Sequence, residues 1–273
     1  MRLATINVNG VRAAWRKGMS EWLATTDADI VTLQEVRAPD DIVRQLLEDS
    51  GYHVAHTESV QKGRNGVAVL TQAEPKDVRP HCADAYFNDS GRWIEVDVAL
   101  EDGSLLTVVS TYIHAGGVGT PQQDDKLRLL GRMLERMVAI TSDSDHGVVT
   151  GDLNIGHTER DIRNWKGNVG KSGFLPEERA FLDRVAAEVG WVDVHRALSG
   201  DVDGPYTWWS MRGQAFDNDT GWRIDYQLAT PELAAAATSA RVDRAATWGE
   251  RWSDHAPLVV DYALRPARRM ALY

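Results

Sequence analysis

Cysteine is almost absent from this chain of 273 residues, which carries Cys82 alone. One thiol excludes an internal disulfide framework and any cysteine-built zinc site, and leaves packing as its expected role. Long apolar runs are missing as well; nothing approaches the ~18 consecutive apolar residues of a membrane span. The opening Met1-Arg2-Leu3-Ala4-Thr5 leads into a strand-like run and not into a charged, apolar leader. A soluble cytoplasmic protein with no membrane partner is therefore expected. Linker-like stretches and short repeats are lacking, and 43% hydrophobic content suffices for one large core, so a single domain over 1–273 is expected. Excess positive charge is lacking too, with a net charge of −10 and a pI near 5.3. That balance alone disfavours a polyanionic partner. Local faces matter more than totals, however. Arg160, Arg163, Lys166 and Lys171 lie close together, and Arg212 and Arg223 flank a tryptophan segment. The Arg265, Arg268 and Arg269 tail reads as a solvated end.

What is present alternates between β-branched runs and amphipathic segments. Val11, Trp15, Met19 and Trp22 recur at helical spacing, as do Ile42, Leu46 and Leu47. The strongest helix spans 122–140, with Leu127, Leu130, Leu134, Met137 and Val138 as its apolar stripe. Another, 176–189, opens on Pro-Glu-Glu. Strands are expected at 66–71, 93–100, 105–113, 147–151, 224–229, 238–243 and 258–264. The turn Glu101-Asp102-Gly103-Ser104 predicts an antiparallel hairpin. Hairpins mixed with helical crossovers predict two mixed sheets covered by helices, a layered α/β sandwich.

Chemistry-bearing residues gather at the ends of these runs. Asn7 and Asn9 follow Leu3–Ile6, Glu35 follows Ile30–Leu33, Tyr112 and His114 close 105–113, and Asp152 and Asn154 follow Val148–Thr150. Asp225 lies in Trp222–Tyr226, and Asp254-His255 precedes Leu258–Val260. Polar groups converging from distant strands are the pattern of an active site. Glu35 and Asp254, with Asn7 or Asn9, offer oxygen ligands only, which suits Mg²⁺ or Mn²⁺. The alternative for Glu35 is an ion pair with Arg37 or another base. Neighbours on a strand face opposite ways, so the carboxylate orienting His255 should be remote, and Asp225 is the candidate. Asp152 would position or deprotonate the attacking water, with Asn154 holding it by a neutral amide. Trp208, Trp209 and Trp222 suit a packed core or an aromatic pocket for an extruded sugar or base.

The stretches Thr5-Ile6-Asn7-Val8-Asn9-Gly10-Val11-Arg12-Ala13, Leu33-Gln34-Glu35 and Ser253-Asp254-His255-Ala256-Pro257 resemble exonuclease III and the apurinic/apyrimidinic endonucleases, within the DNase I-like endonuclease/exonuclease/phosphatase superfamily. Asp152–His157, Asp161–Asn168, Ser172–Arg179, Pro205–Trp209 and Gly221–Tyr226 are similar to the DNA-repair branch. The resemblance implies a four-layered sandwich of two packed mixed sheets flanked by helices. It also implies a monomeric, Mg²⁺- or Mn²⁺-dependent phosphodiesterase of base-excision repair acting on duplex DNA. Incision 5′ to abasic sites and 3′-5′ exonuclease action are the implied reactions. Glu35 would bind metal with Asn9 and Asp254 close by. Asn7 and Asn154 would orient the phosphate and Asp152, Tyr112 would touch the scissile phosphate, and Asp225 would orient His255. Trp208, Trp222 and Ile224 would wall the sugar pocket, with Arg212 reaching into the duplex. One departure stands out: Tyr112-Ile113-His114-Ala115 lacks the family's Pro and amide, so either His114 takes over a phosphate contact or the grip on substrate is weaker. The alternatives are a catalytically silent nucleic-acid-binding regulator on the same scaffold, like the bacterial catabolite repression control protein, and a small-molecule phosphatase of the superfamily.

Overall fold

The computed structural model describes residues 1–81, 85 and 87–267, so Cys82, Arg268 and Arg269 lie outside the described residues. In chain order the strands are β1 (Arg2–Asn7), β2 (Ile30–Gln34), β3 (His53–Thr57), β4 (Val67–Thr71), β5 (Asp77–Arg79), β6 (Trp93–Ala99) and β7 (Leu105–Tyr112). They continue as β8 (His146–Asp152), β9 (Val192–Asp193), β10 (Trp208–Trp209), β11 (Gly221–Trp222), β12 (Asp225–Ala229), β13 (Ala237–Val242) and β14 (Leu258–Tyr262). One six-stranded sheet runs β13-β14-β1-β2-β4-β3, a second β5-β6-β7-β8-β12-β9, and β10-β11 form a small third. Among the described residues only β1–β2 and β7–β8 pair in parallel, each across a helical crossover, as parallel geometry requires. The β6–β7 hairpin is antiparallel across the expected turn.

Alternation along the strands builds four layers. Leu3, Ile30, Val69, Val96, Val108, Val148 and Val260 meet between the two large sheets. Ala4, Val31, Ala68 and Val259 face outward onto the helices around Met19, Leu23 and Val43. Val109 and Val149 face the other way onto helix Pro121–Asp143 and onto Phe181 and Val185. Each such side chain taken from water contributes about 1.5–3 kcal/mol, so the three apolar interfaces carry the fold. The sheets with their covering helices form the four-layered sandwich expected from the sequence.

Two details differ from the sequence reading. Helix Pro121–Asp143 buries Leu129, Met133 and Ile140 beside Leu130, Leu134 and Met137, while Val138 is exposed. Its inner face also accepts Gln123 and Lys126, polar residues that masked the true stripe. The run 222–226 is not one strand: Trp222 ends β11 and Asp225 opens β12, with Arg223 and Ile224 forming the step between them.

Towards one edge of the sandwich the inter-sheet layer turns polar. Gln34 donates to Thr5 at 3.1 Å and Ser110 at 3.0 Å, and the Thr32 and Thr150 hydroxyls meet at 2.7 Å. These buried bonds lock the register of the two sheets where β1, β2, β7 and β8 end. Gly151 is needed there: at φ +133° a Cβ would lie 2.0 Å from the Thr111 carbonyl oxygen. No helix among the described residues is long and apolar enough to cross a membrane.

Candidate active site

Asp152 and Asp225 are register partners on β8 and β12, which sets the two carboxylates side by side at the polar edge. His255 enters from the turn before β14, its Nδ1 2.8 Å from Asp225 Oδ2 and its Nε2 3.7 Å from Asp152 Oδ2. Asp225 is itself oriented, because Thr207 Oγ accepts from the Ile224 and Asp225 amides at 3.2 Å. Asn154, in the left-handed region at φ 51°, donates its amide N–H to Asp152 Oδ1 at 2.8 Å and its carboxamide to Oδ2 at 3.0 Å. Asn7, fully buried, bridges Asp152 Oδ2 at 2.9 Å and Glu35 Oε1 at 2.8 Å.

Burial and the charges of Asp225 and Glu35 raise the pKa of Asp152, against the pull of His255 and the Asn7 hydrogen bond. Burial works against the His255 cation, but the charges of Asp225 and Asp152 and the Asp225 hydrogen bond outweigh it and raise that pKa. Histidine and carboxylate thus hold protons jointly, as coupled groups do. Tyr112 is held in its protonated form, mainly by burial and by the Glu35 and Asp152 charges. Asp254 is held below the usual carboxylate range despite its burial, by His255 and by hydrogen bonds from Asn9 and Trp208.

Glu35, Asn9 and Asp254 form the neighbouring oxygen cluster. Asn9 donates to Asp254 Oδ1 at 2.9 Å, and Trp208 Nε1 donates to Asp254 Oδ2 at 3.1 Å. Arg37 reaches across this cluster, donating to Asn9 Oδ1 at 2.6 Å and pairing closely with Glu35. The ion pair weighed as the alternative for Glu35 is therefore formed. Arg37 thus occupies two of these oxygens, and what fits the cluster to a hard divalent ion such as Mg²⁺ or Mn²⁺ is that its donors are oxygens only. Among the described residues no three carboxylate, imidazole or thiol groups gather as a self-sufficient metal cage. Two carboxylates and amides leave room for water and phosphate oxygens.

Trp208 and Trp222 face each other across β10–β11 with ring centroids 6.1 Å apart and edge-on. Ile224 is buried one step beyond, and Trp209 is a core residue packed on Phe216. Gly173 lets the loop approach, since a Cβ there would meet the Trp222 ring at 2.9 Å. Arg212 is exposed on the loop after β10. His114 stands apart from the carboxylates: its Nε2 lies 2.7 Å from the Gln122 carbonyl, and the ring lines a hollow of about 320 Å³ with Arg92, Asn65 and Ser90.

The basic face read from sequence is thinner than expected. Arg223 is fully buried, bonded to Asp161 at 2.6 Å and Asp193 at 2.8 Å. Arg160 pairs with Asp201 at 2.7 Å. Three contributors escaped the sequence reading: Arg92, stacked 5.1 Å from the Tyr112 ring centre; the buried Asp161–Arg223 pair behind Trp222; and Lys126 with Glu178 behind Asn154. Two polar residues, Gln123 and Lys126, at helical spacing with the apolar Leu130 and Met133 were the available signal for the last.

The sequence pattern of the Endonuclease/Exonuclease/phosphatase family matches residues 4–255. An exodeoxyribonuclease of Bacillus subtilis is 34% identical over 94% of this chain and 98% of its own length. Exodeoxyribonuclease III of Haemophilus influenzae is 30% identical over 96% of this chain and 100% of its own. Among solved structures, an AP endonuclease from Archaeoglobus fulgidus superimposes with a TM-score of 0.85 at 28% identity, covering 96% of this chain and 99% of that one.

Proposed function

Because the chain belongs to the endonuclease/exonuclease/phosphatase family, as a nuclease of its exonuclease III and AP endonuclease group, we propose that it is a divalent-metal-dependent DNA-repair phosphodiesterase that incises duplex DNA 5′ to abasic sites and removes nucleotides from 3′ ends. The observation that carries this reading is the array Asp225–His255–Asp152–Asn154, joined through Asn7 to Glu35.

Asp225 accepts from His255 Nδ1–H and favours the imidazolium, which presents a protonated Nε2 to a phosphate oxygen. Asp152, its pKa raised, accepts the proton of a water held beside it, while Asn7 and Asn154 keep its oxygens aimed. The water oxygen bonds to phosphorus as the P–O3′ bond breaks, and the departing O3′ takes a proton from solvent, leaving a 3′-hydroxyl and a 5′-phosphate. Tyr112, kept protonated, donates to the phosphate. Glu35, with Asn9 and Asp254, would hold Mg²⁺ or Mn²⁺, which supplies Lewis-acid stabilisation of charge on the phosphate. Trp208, Trp222 and Ile224 wall a pocket for a baseless sugar, and Arg212 reaches towards the duplex. One such centre serves both reactions, since each breaks a P–O3′ bond.

The product end tests this chemistry. Fragments left by incision at an abasic-site analogue should prime DNA synthesis directly. Fragments needing prior phosphatase treatment would overturn the bond assignment.

A further inference from the structure

Behind Asn154 lies a charged pair that the proposed chemistry does not use. Lys126 and Glu178 are both fully buried, with Nζ 2.7 Å from Oε1. Lys126 Nζ also donates to the Asn154 carbonyl at 3.0 Å and the Ala115 carbonyl at 3.3 Å. An ammonium has three protons, and here three acceptors from three separate segments take them. Glu178 is held in turn by Gln123 at 3.0 Å and by the Leu175 amide at 3.0 Å. Gln123 accepts from the Gly117 amide at 3.1 Å and from Ser172 at 3.0 Å.

Stability is a weak reason for such a pair, because an apolar pair of similar volume often does as well or better. An apolar pair cannot, however, bond two carbonyls. Asn154 is a non-glycine residue in the left-handed region, a conformation that persists only when its surroundings determine it. Its N–H, in the peptide before it, is tied to Asp152 and its carbonyl, in the peptide after it, to Lys126, so both peptides flanking its left-handed φ/ψ are held.

We infer that Lys126, clamped by Glu178, is a positioning residue that holds the Asn154 peptide, and hence its carboxamide, against Asp152. The same ammonium anchors Ala115 in the segment that follows Tyr112. The inference deepens the proposed nuclease reading and rests on it for its kinetic consequence.

The test compares the wild type with Lys126→Met/Glu178→Leu, which removes both charges together, and with Lys126→Arg/Glu178→Asp, which restores a pair. The apolar double variant leaves the two carbonyls and the Leu175 amide without these partners, so its unfolding midpoint should fall; on a duplex with an abasic-site analogue, assayed where it is fully folded, it should keep its KM while kcat falls about 10- to 100-fold. The Arg/Asp variant should recover most of that loss. Wild-type kcat in the apolar variant, or a loss that the Arg/Asp variant does not recover, overturns the inference. Hydrogen exchange at the Asn154 amide gives an answer free of activity: faster exchange in the apolar variant supports the role, and unchanged exchange refutes it. A wild type that cuts nothing would sink the proposed function, and exchange would still decide the role of Lys126.

Discussion

His195 gives this protein a defined weakness to acid. It is fully buried in helix Val194–Ser199, with no hydrogen-bond partner for either ring nitrogen among the described residues. Burial, and next the charge of Arg223, push its pKa down from 6.5 to about 4; Arg196 acts the same way, and Asp193 and Asp161 oppose it. The unfolded chain therefore takes up a proton below about 6.5, whereas the folded chain does so only near 4. Between those values the unfolded state holds more protons, so stability falls as pH drops through the window. The gap corresponds to about 3 kcal/mol, a large part of a typical domain's stability. Urea unfolding at pH 7 and pH 4 should show the wild type losing about 3 kcal/mol more than His195→Leu, which cannot titrate. Parallel losses in the two proteins would refute the reasoning.

Asp225→Asn should lower kcat about 100-fold or more with little change in KM, since it removes the charge that favours the His255 cation. Without that charge the His255 pKa falls, so the basic limb of the pH–rate profile should move to lower pH; an unmoved limb would contradict the assignment. Gly151→Ala should destabilise the protein by at least about 3 kcal/mol, through the clash with the Thr111 carbonyl and the positive φ. A wild-type urea midpoint for that variant would contradict the packing described.

The strands and long helices were legible because alternation and helical spacing follow directly from burial on one face. Short β5, β9, β10 and β11 were not, since two or three residues carry too little periodicity, and neither was β3, in which Ala55 alone is buried. The residues of the carboxylate edge were legible because each lies at one end of an apolar run, Asn7, Glu35 and Asp152 after theirs and Asp225 and His255 before theirs, and sheet topology brings those ends together. The supporting shell was harder to read. Arg223 reads as a surface base until Asp161 and Asp193, tens of residues away, are seen to enclose it. His114 shows the converse limit: next to Tyr112 in sequence, it turns its ring to Gln122 and the Arg92 hollow. Long-range partners of this kind are written in the tertiary structure and not in local pattern.

The most direct test of the central claim is cleavage of an end-labelled duplex carrying one abasic-site analogue, with Mg²⁺ and with chelator, beside an undamaged duplex with a recessed 3′ end. The account predicts Mg²⁺-dependent incision 5′ to the analogue, shortening of the recessed end, and neither reaction in chelator. Binding of both duplexes without cleavage of either, or cleavage undiminished by chelator, would contradict it.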